Sequence, residues 1–107
     1  MVKRTHGDLV NACLTVLAAY RVFAWKNATG MLPVGKRMVR FGKKGSSDIL
    51  GAMPGGTIIA VECKVGRDVL SDDQIQFLSD IQCIGGVGLE VRDTVDSLAA
   101  FLKGWKR

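Results

Sequence analysis

The stretch Val61-Glu62-Cys63-Lys64 places two opposite charges two residues apart inside an apolar run. Alternate side chains of a β-strand share a face, so Glu62 and Lys64 are predicted to be neighbours on one side of a buried strand. Each favours the charged form of the other. As a stabilising device such a pair is poor, because the cost of desolvating two charges roughly cancels their attraction. From these residues alone, a structural ion pair and a chemically active site are both open.

A second carboxylate, Asp48, begins the preceding predicted strand, on the other side of a turn at Met53-Pro54-Gly55-Gly56. Antiparallel pairing brings Asp48 beside Glu62 if the hairpin register permits. Converging carboxylates repel unless a hard divalent cation lies between them, and Mg²⁺ is typically held by one or two carboxylates together with substrate phosphate. The backbone carbonyl of Cys63 is a further candidate ligand. The alternative for Asp48 is a turn residue after Ser46-Ser47.

A third candidate, Gln74, lies at the start of a predicted helix. Ser71-Asp72-Asp73-Gln74 is a capping-box pattern, with Ser71 as N-cap and Gln74 at the third helical position. Gln74 also stands on the apolar stripe that continues through Phe77 and Leu78. A polar side chain at the mouth of a buried face needs a polar partner. The charged end of the neighbouring strand would supply one, so the capping role and a site role are compatible.

In this order and at these spacings, the motifs resemble the PD-(D/E)XK nuclease superfamily. Within it, the chain is similar to the small stand-alone virus-type replication-repair nucleases (VRR-NUC) of phages and bacteria. The resemblance covers most of the chain and rests on Gly45-Ser46-Ser47-Asp48-Ile49, Val61-Glu62-Cys63-Lys64, Ser71-Asp72-Asp73-Gln74-Ile75-Gln76-Phe77 and Trp25-Lys26-Asn27-Ala28-Thr29-Gly30.

The resemblance implies a restriction-endonuclease-like core in which Asp48 and Glu62 bind Mg²⁺, with Mn²⁺ as a substitute. It implies that Lys64 works on the attacking water and that Gln74 orients Lys64 or that water. The expected activity is a metal-dependent DNA endonuclease, acting as a homodimer on branched DNA such as four-way (Holliday) junctions. The alternatives are a superfamily nuclease for flaps or duplex ends and a non-catalytic nucleic-acid-binding domain.

The chain departs from the family pattern in two places. Ser47 replaces the usual proline before the motif aspartate. Family members often carry a glutamate on the first helix that reaches the metal site, and the candidate here is Asp8, with His6 nearby. A capping-box role with Thr5 is an equal alternative for Asp8.

The predicted chemistry suits a chain with a single histidine. Hydrolysis of a phosphodiester needs an activated water and neutralisation of the charge that develops on phosphate oxygens and on the leaving 3′ oxygen. A bound metal lowers the pKa of its water and polarises the phosphate. Lys64 beside it can hold the hydroxide and offset charge, so no histidine is needed.

The charge is divided unevenly along the chain. Residues 1–45 carry nine Lys/Arg and one acid, hence +8, and residues 46–107 carry six and nine, hence −3. A basic half beside an acidic half suits a protein that holds a polyanion and a cation, although plain solvated charge is the alternative. The predicted DNA contacts are Lys36, Arg37, Arg40, Lys43, Lys44, Asn27 and Thr29. Phe23 and Trp25 are predicted to belong to the core, and Trp105 to the core or a dimer contact.

Length and composition indicate one α/β domain spanning residues 1–107, with 48% hydrophobic and 23% charged residues. Three widely spaced cysteines without a CxxC pair predict neither a disulfide framework nor a zinc site. The apolar runs are too short to span a membrane. The cysteine usage indicates a reducing cytoplasm, and no membrane partner is expected. The resemblance implies that this is the cytoplasm of a bacterium or a phage-infected cell.

The elements that must position these residues follow from periodicity and capping patterns. The predicted order is α-β-β-β-β-α-β-α, with a mixed sheet flanked by helices. The predicted helices run from Thr5 to about Arg21, from Ser71 to about Ile84 and from about Thr94 to Trp105. Residues 31–35, which contain Pro33, are predicted to be a loop. The predicted strands are Val22–Trp25, Arg37–Phe41, Ser47–Gly51, Thr57–Val65 and Val87–Val91.

Overall fold

The computed structural model describes residues 4–105. In this range the elements are α1 (His6–Ala19), β1 (Phe23–Lys26), β2 (Gly30–Val34), β3 (Arg37–Phe41), β4 (Ile49–Ala52), β5 (Ile58–Lys64), α2 (Asp72–Cys83), β6 (Val87–Arg92) and α3 (Asp96–Gly104). Most predicted elements are present within a few residues of their expected bounds.

Four strands form one sheet in the order β1-β4-β5-β6. β1, β4 and β5 are antiparallel neighbours, whereas β6 runs parallel to β5. The β5–β6 connection contains α2, as a parallel crossover requires. The predicted α/β class, a mixed sheet flanked by helices, is thereby confirmed, and it is consistent with a restriction-endonuclease-like core.

The two faces of the sheet are covered by different helices. α1 and α3 pack on one face through buried side chains such as Leu9, Leu17 and Leu98. α2 packs on the other face, where Leu78 and Ile81 contact Ala60 of β5. β5 is consequently buried on both sides at its centre, which explains why its sequence is a nearly continuous apolar run.

α1 begins with the capping box that its sequence predicts. The hydroxyl of Thr5 accepts a hydrogen bond from the backbone N–H of Asp8 at 3.1 Å, and the Asp8 carboxylate accepts one from the Thr5 N–H at 3.3 Å. The apolar stripe then turns Leu9, Cys13 and Leu17 into the core. These contacts fix the first turn of α1 at the end of the sheet where the candidate site lies.

The predicted loop at residues 31–35 is instead the strand β2, paired with β3 in a separate two-stranded hairpin. We call residues 30–41 the arm. Pro33 suggested an irregular segment, but a proline is tolerated in a strand at the edge of a sheet, where its missing N–H is not needed. All residues from 31 to 41 are exposed, and the two strands of the arm pack chiefly on each other. The arm therefore projects from the body.

Within residues 4–105, no helix has the length and apolar character needed to cross a membrane. All three cysteines are free thiols. Cys13 and Cys63 are buried with their sulfur atoms 3.8 Å apart, and Cys83 is exposed.

Candidate active site

The register of the β4–β5 hairpin decides whether the two candidate carboxylates meet. Ile49 pairs with Val61 and Leu50 with Ala60, so the next position along sets Asp48 level with Glu62. The Asp48 carboxylate accepts a hydrogen bond from the backbone N–H of Cys63 at 2.8 Å. The hairpin register therefore brings Asp48 beside Glu62, as the prediction of a shared site requires.

Glu62 is buried although it is ionisable. Only 2% of the residue is exposed. One carboxyl oxygen, Oε1, accepts a hydrogen bond from Gln74, while Oε2 is buried without a hydrogen-bond partner in the described residues. Burial raises the pKa of Glu62 to about 8, the adjacent Asp48 carboxyl adds to the rise, and the charge of Lys64 opposes it. Neutral Glu62 can share its proton with the Asp48 carboxylate, but once both acids are ionised the buried Oε2 has no donor among the described residues and calls for an explanation.

Gln74 makes both of its predicted types of contact through opposite ends of one amide. Its Oε1 accepts from the Ser71 N–H at 2.9 Å, and the Ser71 hydroxyl accepts from the Gln74 N–H at 3.2 Å, which completes the capping box. Its Nε2 donates to Glu62 at 3.2 Å. The side chain that caps α2 thus also holds the buried carboxyl group.

Lys64 ends β5 on the same face as Glu62 and is half-buried. In the described part of the chain it forms no ion pair within 4.0 Å, and none joins it to Glu62. The direct structural ion pair that the sequence left open is therefore not formed. The ammonium group is close enough to influence Glu62 electrostatically and is available for other partners.

The first helix reaches the site through His6, whereas Asp8 serves the helix cap. Asp8 is exposed, and the hydrogen bonds that link it to Thr5 lower the pKa of its carboxyl group. His6 Nε2 lies 3.2 Å from Asp48 Oδ2. Of the two α1 residues considered, the structure places only His6 in contact with a candidate ligand.

Cys63 contributes main-chain atoms at the site and its thiol to the core. Its N–H holds Asp48, and its sulfur contacts Cys13 beneath the sheet. The contact with Cys13, together with burial, raises the pKa of the Cys63 thiol, so it remains protonated. The ligand role of its carbonyl stays a prediction.

Sequence reasoning missed a second charged pair beside the site. The parallel register sets Glu90 level with Glu62 and Arg92 level with Lys64. Arg92 pairs with Glu90 at 2.6 Å and donates to the carbonyl of Gly66 at 2.8 Å. The signal was present, because Glu90-Val91-Arg92 repeats the acid-x-base spacing of β5.

The oxygen atoms of Asp48 and Glu62 are the candidate ligands of a divalent cation. Residues 4–105 contain no group of three or more His, Cys, Asp or Glu side chains placed to hold a metal. Mg²⁺, however, commonly uses one or two carboxylates and fills its other positions with water and phosphate. Asp48 and the partnerless Oε2 of Glu62 fit that pattern.

The predicted DNA-contacting cations lie on the arm and on residues 42–45, which follow it. Lys36 and Arg37 lie at the tip, and Arg40 contacts Met31 within the arm. Lys43 is exposed, as is Lys44, which forms a 3.2 Å ion pair with Asp73 at the start of α2.

Asn27 is directed inward at the root of the arm. Its side-chain amide donates to the Ser46 hydroxyl at 2.7 Å and to the Ser47 carbonyl at 3.0 Å. Its backbone N–H donates to the Asp48 carbonyl at 2.7 Å. Asn27 therefore joins the segment before the arm to the segment after it. Thr29 remains exposed.

The prediction that Phe23 and Trp25 belong to the core is wrong. Phe23 is 74% exposed and Trp25 48% exposed, whereas Ala24 between them packs against the core. The side chains of β1 do alternate between the two faces as predicted, but Phe23 and Trp25 face solvent and Ala24 faces the core, the reverse of the prediction. Trp105 does pack against the core and lies on Phe101.

No protein-family model matches this chain, and no curated protein matches its sequence. The VRR-NUC resemblance stays a prediction based on the motifs.

Proposed function

We propose that this chain is a Mg²⁺-dependent DNA endonuclease of the VRR-NUC type. The observation that carries the proposal is the buried Glu62 carboxyl, whose Oε2 has no hydrogen-bond partner in residues 4–105 and which lies next to Asp48. A structural role would be expected to satisfy both oxygens. A cation at this point explains both the convergence of the acids and the partnerless oxygen.

Asp48 and Glu62 would hold the ion, with the Cys63 carbonyl as a further candidate and Mn²⁺ as a substitute metal. When bound, such an ion supplies an activated water and offsets charge on the phosphate. Both carboxyl groups are oriented by the chain itself. The Cys63 N–H fixes Asp48, and the Gln74 amide fixes Glu62.

Lys64 is the proposed partner of the attacking water. Its ammonium group can donate a hydrogen bond to a hydroxide and offset negative charge on the phosphate. Its lack of an ion pair in the described residues supports this role, because a lysine bound to a carboxylate would have to exchange that partner first. In this scheme Gln74 acts on Glu62 as a positioning residue.

DNA is the proposed substrate because positive charge is concentrated on the arm and on residues 42–45, which follow it. Residues 30–45 contain five Lys/Arg and no acid, and Asp48 follows three residues later. Phosphates held along the arm would lead the backbone toward the carboxylates. Branched DNA such as a four-way junction is the substrate class that we propose from the resemblance.

We also propose a homodimer, since two symmetric sites can cut paired strands. One face of the arm carries four exposed apolar side chains, and an isolated two-stranded hairpin is only marginally stable in water. A second copy of the chain is the cover that we propose for this face. The four residues are Leu32, Val34, Val39 and Phe41.

The test compares wild type with Glu62→Gln and Asp48→Asn on labelled four-way junction, flap and linear duplex DNA, with Mg²⁺ or with EDTA. We expect Mg²⁺-dependent cleavage by wild type, strongest on the junction, and background cleavage by both variants. Cleavage in EDTA, or full activity of Glu62→Gln, would contradict the mechanism. Preferred cleavage of flaps or duplex ends would support the alternative substrates. Binding without cleavage under every condition would favour a non-catalytic domain.

A further inference from the structure

Two aromatic side chains stand exposed next to each other on β1. Phe23 is the more exposed of the two, Trp25 is half-exposed, and their ring centroids lie 5.7 Å apart with the planes tilted by 56°. Within residues 4–105, β1 is an edge strand that pairs with β4 alone. Contiguous exposed apolar surface of this kind commonly marks a binding site.

The aromatic pair lies on the same face of the sheet as the candidate active site. Trp25 is level with Leu50 of β4, and Leu50 is level with Ala60 of β5, so these side chains share a face with Glu62 two residues further along. From strand spacing and rise per residue, the Cα atoms of Trp25 and Asp48 are roughly 8 Å apart. A group on Trp25 is therefore about one nucleotide from a phosphate at Asp48.

α2 covers only part of this face. Leu78 and Ile81 pack on Ala60, with Leu50 at the margin of the same cluster, which leaves the portion over β1 open. The open portion is bordered by α2 on one side and is continuous with the catalytic carboxylates. It forms a platform beside the site.

The charge along β1 and the arm favours a nucleic acid as the occupant of the platform. No acidic residue occurs from position 9 to position 47, while Lys26 follows Trp25 directly and the arm begins four residues later. This surface attracts a polyanion. A positively charged path combined with exposed aromatic rings is the arrangement that binds single strands, since each base has an apolar face that can stack.

We propose that Phe23 and Trp25 form a stacking platform for an unpaired base next to the phosphate held at Asp48 and Glu62. The inference rests on the proposed function for the position of that phosphate, and it deepens the function by naming the substrate class. In an intact duplex both faces of each base are covered by its neighbours. The preferred DNA therefore has at least one unstacked nucleotide at the cut, as branch points do.

The test uses Trp25 as a fluorescent reporter in EDTA, so that no cleavage intervenes. Trp25 and Trp105 are the two tryptophans of the chain, and Trp105→Phe leaves Trp25 as the sole reporter. We expect quenching by a single-stranded oligonucleotide and by a four-way junction with an unpaired centre, and little change with a blunt duplex of equal length. Equal quenching by all three, or none, would overturn the proposal.

Affinity is measured separately by anisotropy of a labelled single strand, again in EDTA. Trp25→Ala should weaken binding by about 5- to 150-fold, the effect of losing one stacked base. Trp25→Phe should restore most of it, and Phe23→Ala should weaken it in the same direction. Ile84→Ala is the matched control, because Ile84 is also 74% exposed but lies at the far end of α2 from the site. Thermal melts confirm that each variant is folded.

The outcomes separate this proposal from the nuclease proposal. Unchanged affinity of folded Trp25→Ala overturns the platform, even if Mg²⁺-dependent cleavage is observed. Quenching and reduced affinity support the platform even if no cleavage occurs. A dimer that Trp25→Ala dissociates in the absence of DNA would assign this face to a second copy of the chain and overturn the proposal.

Discussion

Glu62 is the residue at which the stability cost of the candidate site and its proposed metal binding meet. Its carboxyl group is buried, one oxygen lacks a partner in the described residues, and its pKa of about 8 lies well above the usual range. Without a cation, ionisation of Glu62 places a negative charge in the core beside Asp48. Under the proposed function, stability without metal and binding of the metal place opposite demands on Glu62, and both can be measured.

The first prediction concerns pH in metal-free buffer. Because the folded pKa of Glu62 lies above its unfolded value near 4.5, the folded state holds the proton more tightly, and stability is lost as pH rises from about 4.5 through 8. Glu62→Gln keeps the shape without the charge. Its free energy of unfolding should exceed that of wild type at pH 9 by at most about 5 kcal/mol, with little gain at pH 4. Coincident denaturant curves for the two proteins at pH 9, with equal midpoints, would refute this.

The second prediction concerns metal removal. At pH 8, Mg²⁺ should raise the melting temperature of wild type, because an ion that binds only the folded state stabilises it by about 2.7 kcal/mol at one hundred times its Kd. Glu62→Gln and Asp48→Asn should show no rise. Lys103→Ala, a change in the last turn of α3, is the control and should respond as wild type does. An equal rise in all four proteins would indicate nonspecific ion effects.

At the scale of the element, the first turn of α2 combines two tasks that variants can separate. Ser71→Ala removes the hydroxyl that caps Gln74 and should cost about 1 kcal/mol of stability while cleavage persists. Gln74→Ala removes its part of the cap and also the donor to Glu62, so it should lower both stability and kcat. Melting curves and junction cleavage check this pair. Equal cleavage by the two variants would leave Gln74 a capping residue only.

The arm offers a prediction of the opposite kind, in which binding changes and stability does not. Substituting Lys36 and Arg40 by alanine should reduce the slope of log Kobs against log salt by about 1.8, or 0.9 for each phosphate that the variant no longer neutralises. Arg37 is left in place because it shares the face of Val34 that we propose a second copy covers. The melting temperature should stay unchanged, because the arm packs chiefly on itself. Lys103→Ala should leave the slope unaltered. A salt slope equal to that of wild type would remove the arm from the DNA interface.

Local patterns predicted much of the site-bearing structure. The capping boxes at Thr5 and Ser71 are written within four residues each, and both are present. The period of two in β5 placed Glu62 and Lys64 on one face, and the hairpin brought Asp48 to them. These features depend on neighbours in sequence or on a single short turn.

The remaining features depend on contacts across the fold. The exposure of Phe23 and Trp25 follows from how much of the sheet α2 covers, which no local pattern states. The approach of His6 to Asp48 spans 42 residues, and the position of Glu90 requires the parallel register. Such pairings are fixed by packing of whole elements.

At the scale of the whole molecule, mass is the quantity that tests assembly. A dimer of the 11.5 kDa chain has twice that mass, about 23 kDa. Light scattering should find the dimer for wild type, and Leu32→Lys with Val39→Lys, a pair of opposed residues on the apolar face of the arm, should shift it to monomer. A monomer for wild type at every concentration would contradict the proposed assembly.

The hydrogen bonds of Asn27 join the segments that enter and leave the arm, next to Asp48. Asn27, which precedes the arm, donates through its side chain to Ser46 and Ser47, which follow the arm. The Asn27 backbone N–H donates to the Asp48 carbonyl. A displacement of the segment at Asn27 therefore acts on the Asp48 backbone as well. If the arm and Asp48 act as proposed, changes at the tip of the arm are expected to alter DNA recognition alone. Changes at Asn27, Ser46 or Ser47 are expected to alter DNA binding and cleavage together.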